Sequence, residues 1–138
     1  MKRLALAGLL LCVGLLITRV FAHPAQNSYV NVLIDTNGET LTNDHSGRII
    51  TNTGATGGQT FNLPPAVKGL HFIFSLSAAQ NIDVNPQNDD KILGLGLSTS
   101  PGDAIRSNTT VGTTVELVAI DSTNWLPISV VGTWTDVN

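Results

Sequence analysis

Cysteine is almost missing from this chain: Cys12 stands alone and none follows it in 138 residues. The domain beyond it must therefore fold without a disulfide. Basic residues are scarce as well, seven Lys and Arg against ten Asp and Glu. A surface weighted toward acid repels phosphate backbones, which argues against nucleic-acid binding. Helical periodicity is lacking: after residue 28 no segment sustains a 3.6-residue apolar pattern for three turns. Recognisable catalytic motifs are lacking too. Gly54-Ala55-Thr56-Gly57-Gly58 has no Gly-Lys-Ser/Thr after it and no helix behind it, so it reads as a turn rather than a phosphate cradle. Ser46 beside His45 has no nucleophile-elbow sequence. The acid pairs Glu116 with Asp121 and Asp89 with Asp90 have nothing to fix their separation, so solvated acids are the simpler reading. These absences point away from an enzyme.

Among the features that are present, the N-terminus speaks first. Lys2 and Arg3 precede residues 4–17, a run of 14 uncharged and mostly apolar residues. That run is shorter than the ~20 residues needed to span a bilayer. With Val20-Phe21-Ala22 after it, the pattern reads as a secretory signal peptide, residues 1–22, cut after Ala22. A retained membrane helix is the alternative. Leu11 stands before Cys12 where a lipoprotein anchor would have a small residue. The expected protein is secreted, extracellular or periplasmic, with no membrane contact after cleavage. It begins at His23, has 116 residues, and keeps four basic against ten acidic groups. That length suits one domain.

Residues 23–28 read as a flexible mature N-terminus and residues 29–138 as an all-β domain. Apolar residues recur with period 2: Val30, Val32 and Ile34 share one face, and so do Leu70, Phe72, Phe74 and Leu76, with His71, Ser75 and Ser77 opposite. Val115, Leu117 and Ala119 share a face too, but Val118 and Ile120 make that segment apolar on both sides. It is expected to be a central strand or to lie in a subunit interface. Asn37-Gly38 reads as a hairpin turn, Pro64-Pro65 ends the strand at residues 59–63, and residues 93–97 read as a glycine-spaced loop or weak strand. Frequent turns between short strands predict a single compact antiparallel β-sandwich, barrel or prism.

The most diagnostic stretch is residues 54–135. Its pieces are Thr51-Asn52-Thr53-Gly54-Ala55-Thr56, Gln59-Thr60-Phe61-Asn62-Leu63-Pro64, Ala66-Val67-Lys68-Gly69-Leu70-His71-Phe72, Gly112-Thr113-Thr114-Val115-Glu116-Leu117-Val118-Ala119, and Trp125 with Val130-Val131-Gly132-Thr133-Trp134-Thr135. In this order and spacing they resemble a small all-β module of tailed-bacteriophage structural proteins, of head-fibre, decoration or tail-fibre-tip type. The resemblance implies a non-enzymatic virion component without cofactor, often trimeric, that decorates a surface or helps attach to a host. Virion proteins assemble inside the infected cell, so the signal peptide departs from this pattern. The expectation becomes an exported, self-associating module, a trimer or a filament.

Several residues qualify for chemistry. Trp125 and Trp134 are candidates for an interface or a sugar platform, since tryptophan is enriched at both, with core packing as the simpler reading. Phe72 and Phe74, on the face of residues 70–76, would build the core or the interface. An exposed tryptophan would make the chain a carbohydrate-binding module for a surface glycan. His23, as a mature N-terminus, resembles the first position of copper-dependent polysaccharide monooxygenases. It would need His71 or His45 as second ligand. Asp83, Asn85, Asp89 and Asp90 could supply oxygens to calcium, but Asn88 and Gly94 break the EF-hand pattern, and a solvated turn explains them. Asn108-Thr109-Thr110 is a glycosylation sequon, meaningful only in a eukaryotic secretory route.

Overall fold

The computed structural model describes residues 31–87, 89–95 and 100–137. The expected signal peptide, the flexible N-terminus, His23 and Asn88 lie outside the described residues. Ten strands are present: β1 Val32–Ile34, β2 Ile49–Thr51, β3 Gln59–Asn62, β4 His71–Ser75, β5 Ile82–Asn85, β6 Lys91–Ile92, β7 Ala104–Ser107, β8 Thr114–Ala119, β9 Asn124–Val131 and β10 Trp134–Val137. A 3₁₀ turn spans Asn43–His45, and there is no α-helix among the described residues. The all-β expectation holds at this level.

The strands form two sheets, a larger one in the order β1-β2-β4-β8-β9-β6 and a smaller one in the order β10-β7-β5-β3. Both are mixed, which corrects the antiparallel expectation. The pairs β1–β2, β2–β4, β3–β5 and β6–β9 are parallel. Parallel neighbours need a long crossover, and here the opposite sheet supplies it: the chain passes from β2 to β3, back to β4, then to β5. Alternating short strands between two sheets therefore replaces the helix that usually makes such a connection.

Asn37-Gly38 is part of this winding path and makes no hairpin. β1 pairs in parallel with β2, while Thr40 bridges Asn62 in the other sheet. Glycine is required at position 38 for two reasons. Its φ is 74°, and a Cβ there would stand 2.2 Å from the Thr60 carbonyl oxygen.

The inward faces of both sheets meet in one core. Phe72, Phe74, Val115, Leu117, Ala119 and Trp125 come from the larger sheet, and Phe61, Ile82, Val84, Ile105 and Trp134 from the smaller. Phe61 and Phe74 touch across the gap, their ring centroids 5.9 Å apart. The period-2 alternation of residues 70–77 is seen as expected, and β8 is central, between β4 and β9. In β1 the parity is reversed. Leu33 packs against the core, while Val32 and Ile34 are 50% and 60% exposed. The cause is non-local: Leu33 lies beside Ile50, which is fully buried, so its neighbour fixes which side of β1 faces inward.

Candidate functional site

The four aromatic candidates lie inside the molecule. Phe72, Phe74 and Trp125 have no exposed surface, and Trp134 has 5%. Trp125 packs on Phe72 at 5.7 Å and donates its indole N–H to Asp90 at 3.4 Å. That carboxylate is itself buried and accepts the Ala66 N–H at 2.9 Å, so it joins β6, β9 and the loop after β3. Trp134 donates its N–H to the Thr114 carbonyl at 3.2 Å, fastening β10 of the smaller sheet to β8 of the larger. Neither indole offers a face for a sugar ring, and none of the four aromatics forms an outer surface for a subunit. Their place is the core, the simplest of the readings weighed for them: the inward parity of β4, β9 and β10 puts them there.

The polar candidates are dispersed among local partners. Asp83 holds Arg106 in a two-point pair, Nε to Oδ1 at 2.7 Å and Nη2 to Oδ2 at 2.6 Å. The hydrogen bond and the charge of Asp83 push the Arg106 guanidinium above its ordinary range. Asn85 donates to Asn62, Asp90 is in the core, and Asp89 is exposed. These four side chains do not converge on one point, and among the described residues no three His, Cys, Asp or Glu are placed to share a metal ion. His45 accepts the Thr42 N–H at Nδ1 (3.3 Å), which leaves no proton there for Glu39, 3.8 Å away.

His71 lies 2.6 Å from Glu116 through Nε2 and Oε1, both side chains half-buried. This pair sits on the outer face of the larger sheet, the side turned away from the core. Successive strands bring Val32, Ile49 and Ile73 into one row that leads to Glu116 and Ser129. A second row runs Ile34, Thr51, Ser75, Thr114 and Val131, and a third His71, Val118 and Leu126. Ser75 and Thr114 bond hydroxyl to hydroxyl at 2.9 Å within the second row. The outward residues of the smaller sheet are mostly of another kind: Thr60, Asn62, Asp83, Asn85, Arg106 and Thr135, with Ala104 and Val137 the apolar pair at one end.

β9 contributes a second feature. β6 pairs only with its first two residues, so one side of β9 is unpaired by β6 from Leu126 onward. The β8–β9 ladder shifts register between Glu116 and Leu117, leaving Ile128 as the extra residue. Beside this edge runs a groove of about 410 Å³, its apolar lining Leu93, Leu95, Leu126, Pro127, Val130 and Trp134.

No protein-family model matches the chain, and no curated protein does either.

What the arrangement can do follows from its chemistry. Among the described residues no serine or threonine hydroxyl is hydrogen-bonded to a histidine ring, and the acids have scattered partners: Asp83 holds Arg106, Glu116 meets His71 and Asp90 accepts the Ala66 N–H, while Glu39 Oε1 and Asp136 Oδ1 are buried without a hydrogen-bond partner. The outer face of the larger sheet, by contrast, combines exposed aliphatics with few charges, the composition of a contact surface. Sequence reasoning missed it because the outward parity of β1 comes from pairing with β2. The signal was present in Val118 and Ile120, whose apolar character on the second side of β8 was already visible.

Proposed function

We propose that this chain is a non-enzymatic, exported structural module that associates with copies of itself and serves a structural or surface-attachment role. The observation that supports it is the uneven dressing of the two sheets. Val32, Ile34, Leu126 and Val131 are 37–60% exposed on the larger sheet, whereas the smaller sheet turns outward mostly amides, hydroxyls and charges. A single-sided apolar surface is what an assembly subunit presents. The two sheets are read here as the layers of one β-sandwich, a rigid body suited to decoration of a larger structure. The apolar run behind Lys2 and Arg3 supports export, and the resemblance to head-fibre and decoration modules supports a place in an assembled particle or fibre.

Expression of the full chain in a secreting bacterium, followed by sedimentation velocity over a concentration series on the recovered protein, tests this reading. Self-association with folded β-rich circular dichroism is expected. Mass spectrometry of the same sample is expected to find His23 first. A protein that stays monomeric at the highest soluble concentration defeats the proposal.

A further inference from the structure

We infer that two copies of this chain pack against each other through the outer face of the larger sheet, with the His71–Glu116 pair at the centre of the contact. The inference rests on the self-association proposed above and adds its surface and symmetry.

The first argument is charge. Within the strands of the larger sheet the only charged or titratable side chains are His71, Glu116 and, on the short edge strand β6, Lys91. The middle of the face therefore holds one positive-capable group and one negative group, 2.6 Å apart. A partner of one net sign would gain from one member of the pair and be opposed by the other. A second copy has no such conflict. A two-fold axis lying between the two faces, above the midpoint of the pair, places each His71 over the other copy's Glu116. The same patch is then complementary to itself, the requirement of an isologous contact.

The second argument is the distribution of apolar groups about that centre. Val32, Ile34, Ile49 and Ile73 lie on the β1-β2-β4 side, and Val118, Leu126 and Val131 on the β8-β9 side. The same rotation lays one set over the other.

The edge of β9 is the rival route, and the chain blunts it. Pro127 brings no N–H to a ladder, and the extra residue Ile128 interrupts the pairing register. Strand addition along β9 is disfavoured by both. Size sets the strength of the face-to-face contact. Six strands about 4.8 Å apart give a width of roughly 24 Å, and strands of about five residues give a height of roughly 17 Å. A patch of that extent belongs at the lower end of interface sizes, so a reversible dimer is expected rather than a permanent one.

The test is sedimentation velocity on the protein recovered from full-chain expression, with circular dichroism and tryptophan fluorescence reporting the fold. Ile73→Lys puts like charges near the axis and is expected to weaken dimerisation at least about tenfold. Leu126→Lys, at a more exposed position, serves if Ile73→Lys does not fold, with the same expectation. Glu116→Lys and His71→Glu are each expected to weaken the dimer, and an equimolar mixture of the two single variants to restore it, which a pair acting only within one chain would not produce. Thr135→Lys on the smaller sheet is expected to leave the dimer unchanged. A wild-type monomer overturns the self-association reading itself. An oligomer that withstands both lysine variants, that dissociates on Ile128→Lys alone, or that is a trimer overturns only the face and symmetry inferred here.

Discussion

At the scale of single residues, three acidic side chains, Asp35, Asp103 and Asp121, fix turns by accepting nearby backbone N–H groups. Asp121 opens the β8–β9 connection and accepts five hydrogen bonds from Thr123 and Asn124: the Thr123 N–H at 2.8 Å and hydroxyl at 3.3 Å, the Asn124 N–H at 2.8 Å, and the Asn124 amide at 3.0 and 2.8 Å to its two oxygens. These bonds favour the ionised carboxyl, the Thr123 N–H first and the Asn124 side chain next, and hold it below the ordinary aspartate value of 3.8. The sign of the linkage follows. A depressed folded value contributes stability that is fully present above the unfolded value and is lost as pH falls through the folded one. An NMR titration is expected to place the Asp121 midpoint below 3.8. The urea midpoint of the wild type is expected to fall more steeply with acid than that of Asp121→Asn in the window below that value. A midpoint at or above 3.8 would remove the turn's contribution to the acid response.

At the scale of elements, β10 is held less by its length than by one side chain. Trp134 is 95% covered, and its N–H closes on the Thr114 carbonyl across the gap between the sheets. Truncation to alanine removes a large apolar contact and leaves that carbonyl without its donor. The expected cost is about 3–5 kcal/mol, the usual range for a buried Trp→Ala change. Urea unfolding followed by circular dichroism measures it, and a loss below about 1 kcal/mol would show that β10 is held by its backbone ladder to β7 alone. Elements also decide how far the sequence could be read. The alternation in residues 70–77 was legible because Phe72, Phe74 and Leu76 face a core on one side and hydroxyls stand on the other. β8 was legible as central from its two apolar sides. The parity of β1 was not, since Leu33 turns inward only because its parallel neighbour is the buried Ile50. Parallel pairing itself left no local mark: Asn37-Gly38 has hairpin chemistry, yet the chain after it crosses to the other sheet. The burial of both tryptophans depended on the same long-range placement, whereas the contact face was half visible in Val118 and Ile120.

At the scale of the whole molecule, the winding between two sheets sets how the chain must fold. Val32 sits beside Ile49, Ile49 beside Ile73, and His71 beside Val118, so each ladder joins segments separated by a full excursion through the opposite sheet. Such pairings require loop closure before any strand contact repays it, and helices that form early are missing among the described residues. The larger sheet cannot be completed from one end, because β4 needs β2 before it and β8 long after it. Refolding is therefore expected on the millisecond-to-second scale typical of non-local β topologies. Stopped-flow dilution from urea, followed by the fluorescence of the buried Trp125, reads this directly at concentrations low enough to keep the protein monomeric. The rate is expected to be insensitive to Leu126→Lys, since that residue lies on the uncovered face, and to slow when the core contact of Phe74 with Phe61 is trimmed by Phe74→Leu. Relaxation in microseconds would mean that the two sheets assemble from local hairpins, and that the parallel β1-β2-β4 ladder is not part of the step that limits folding.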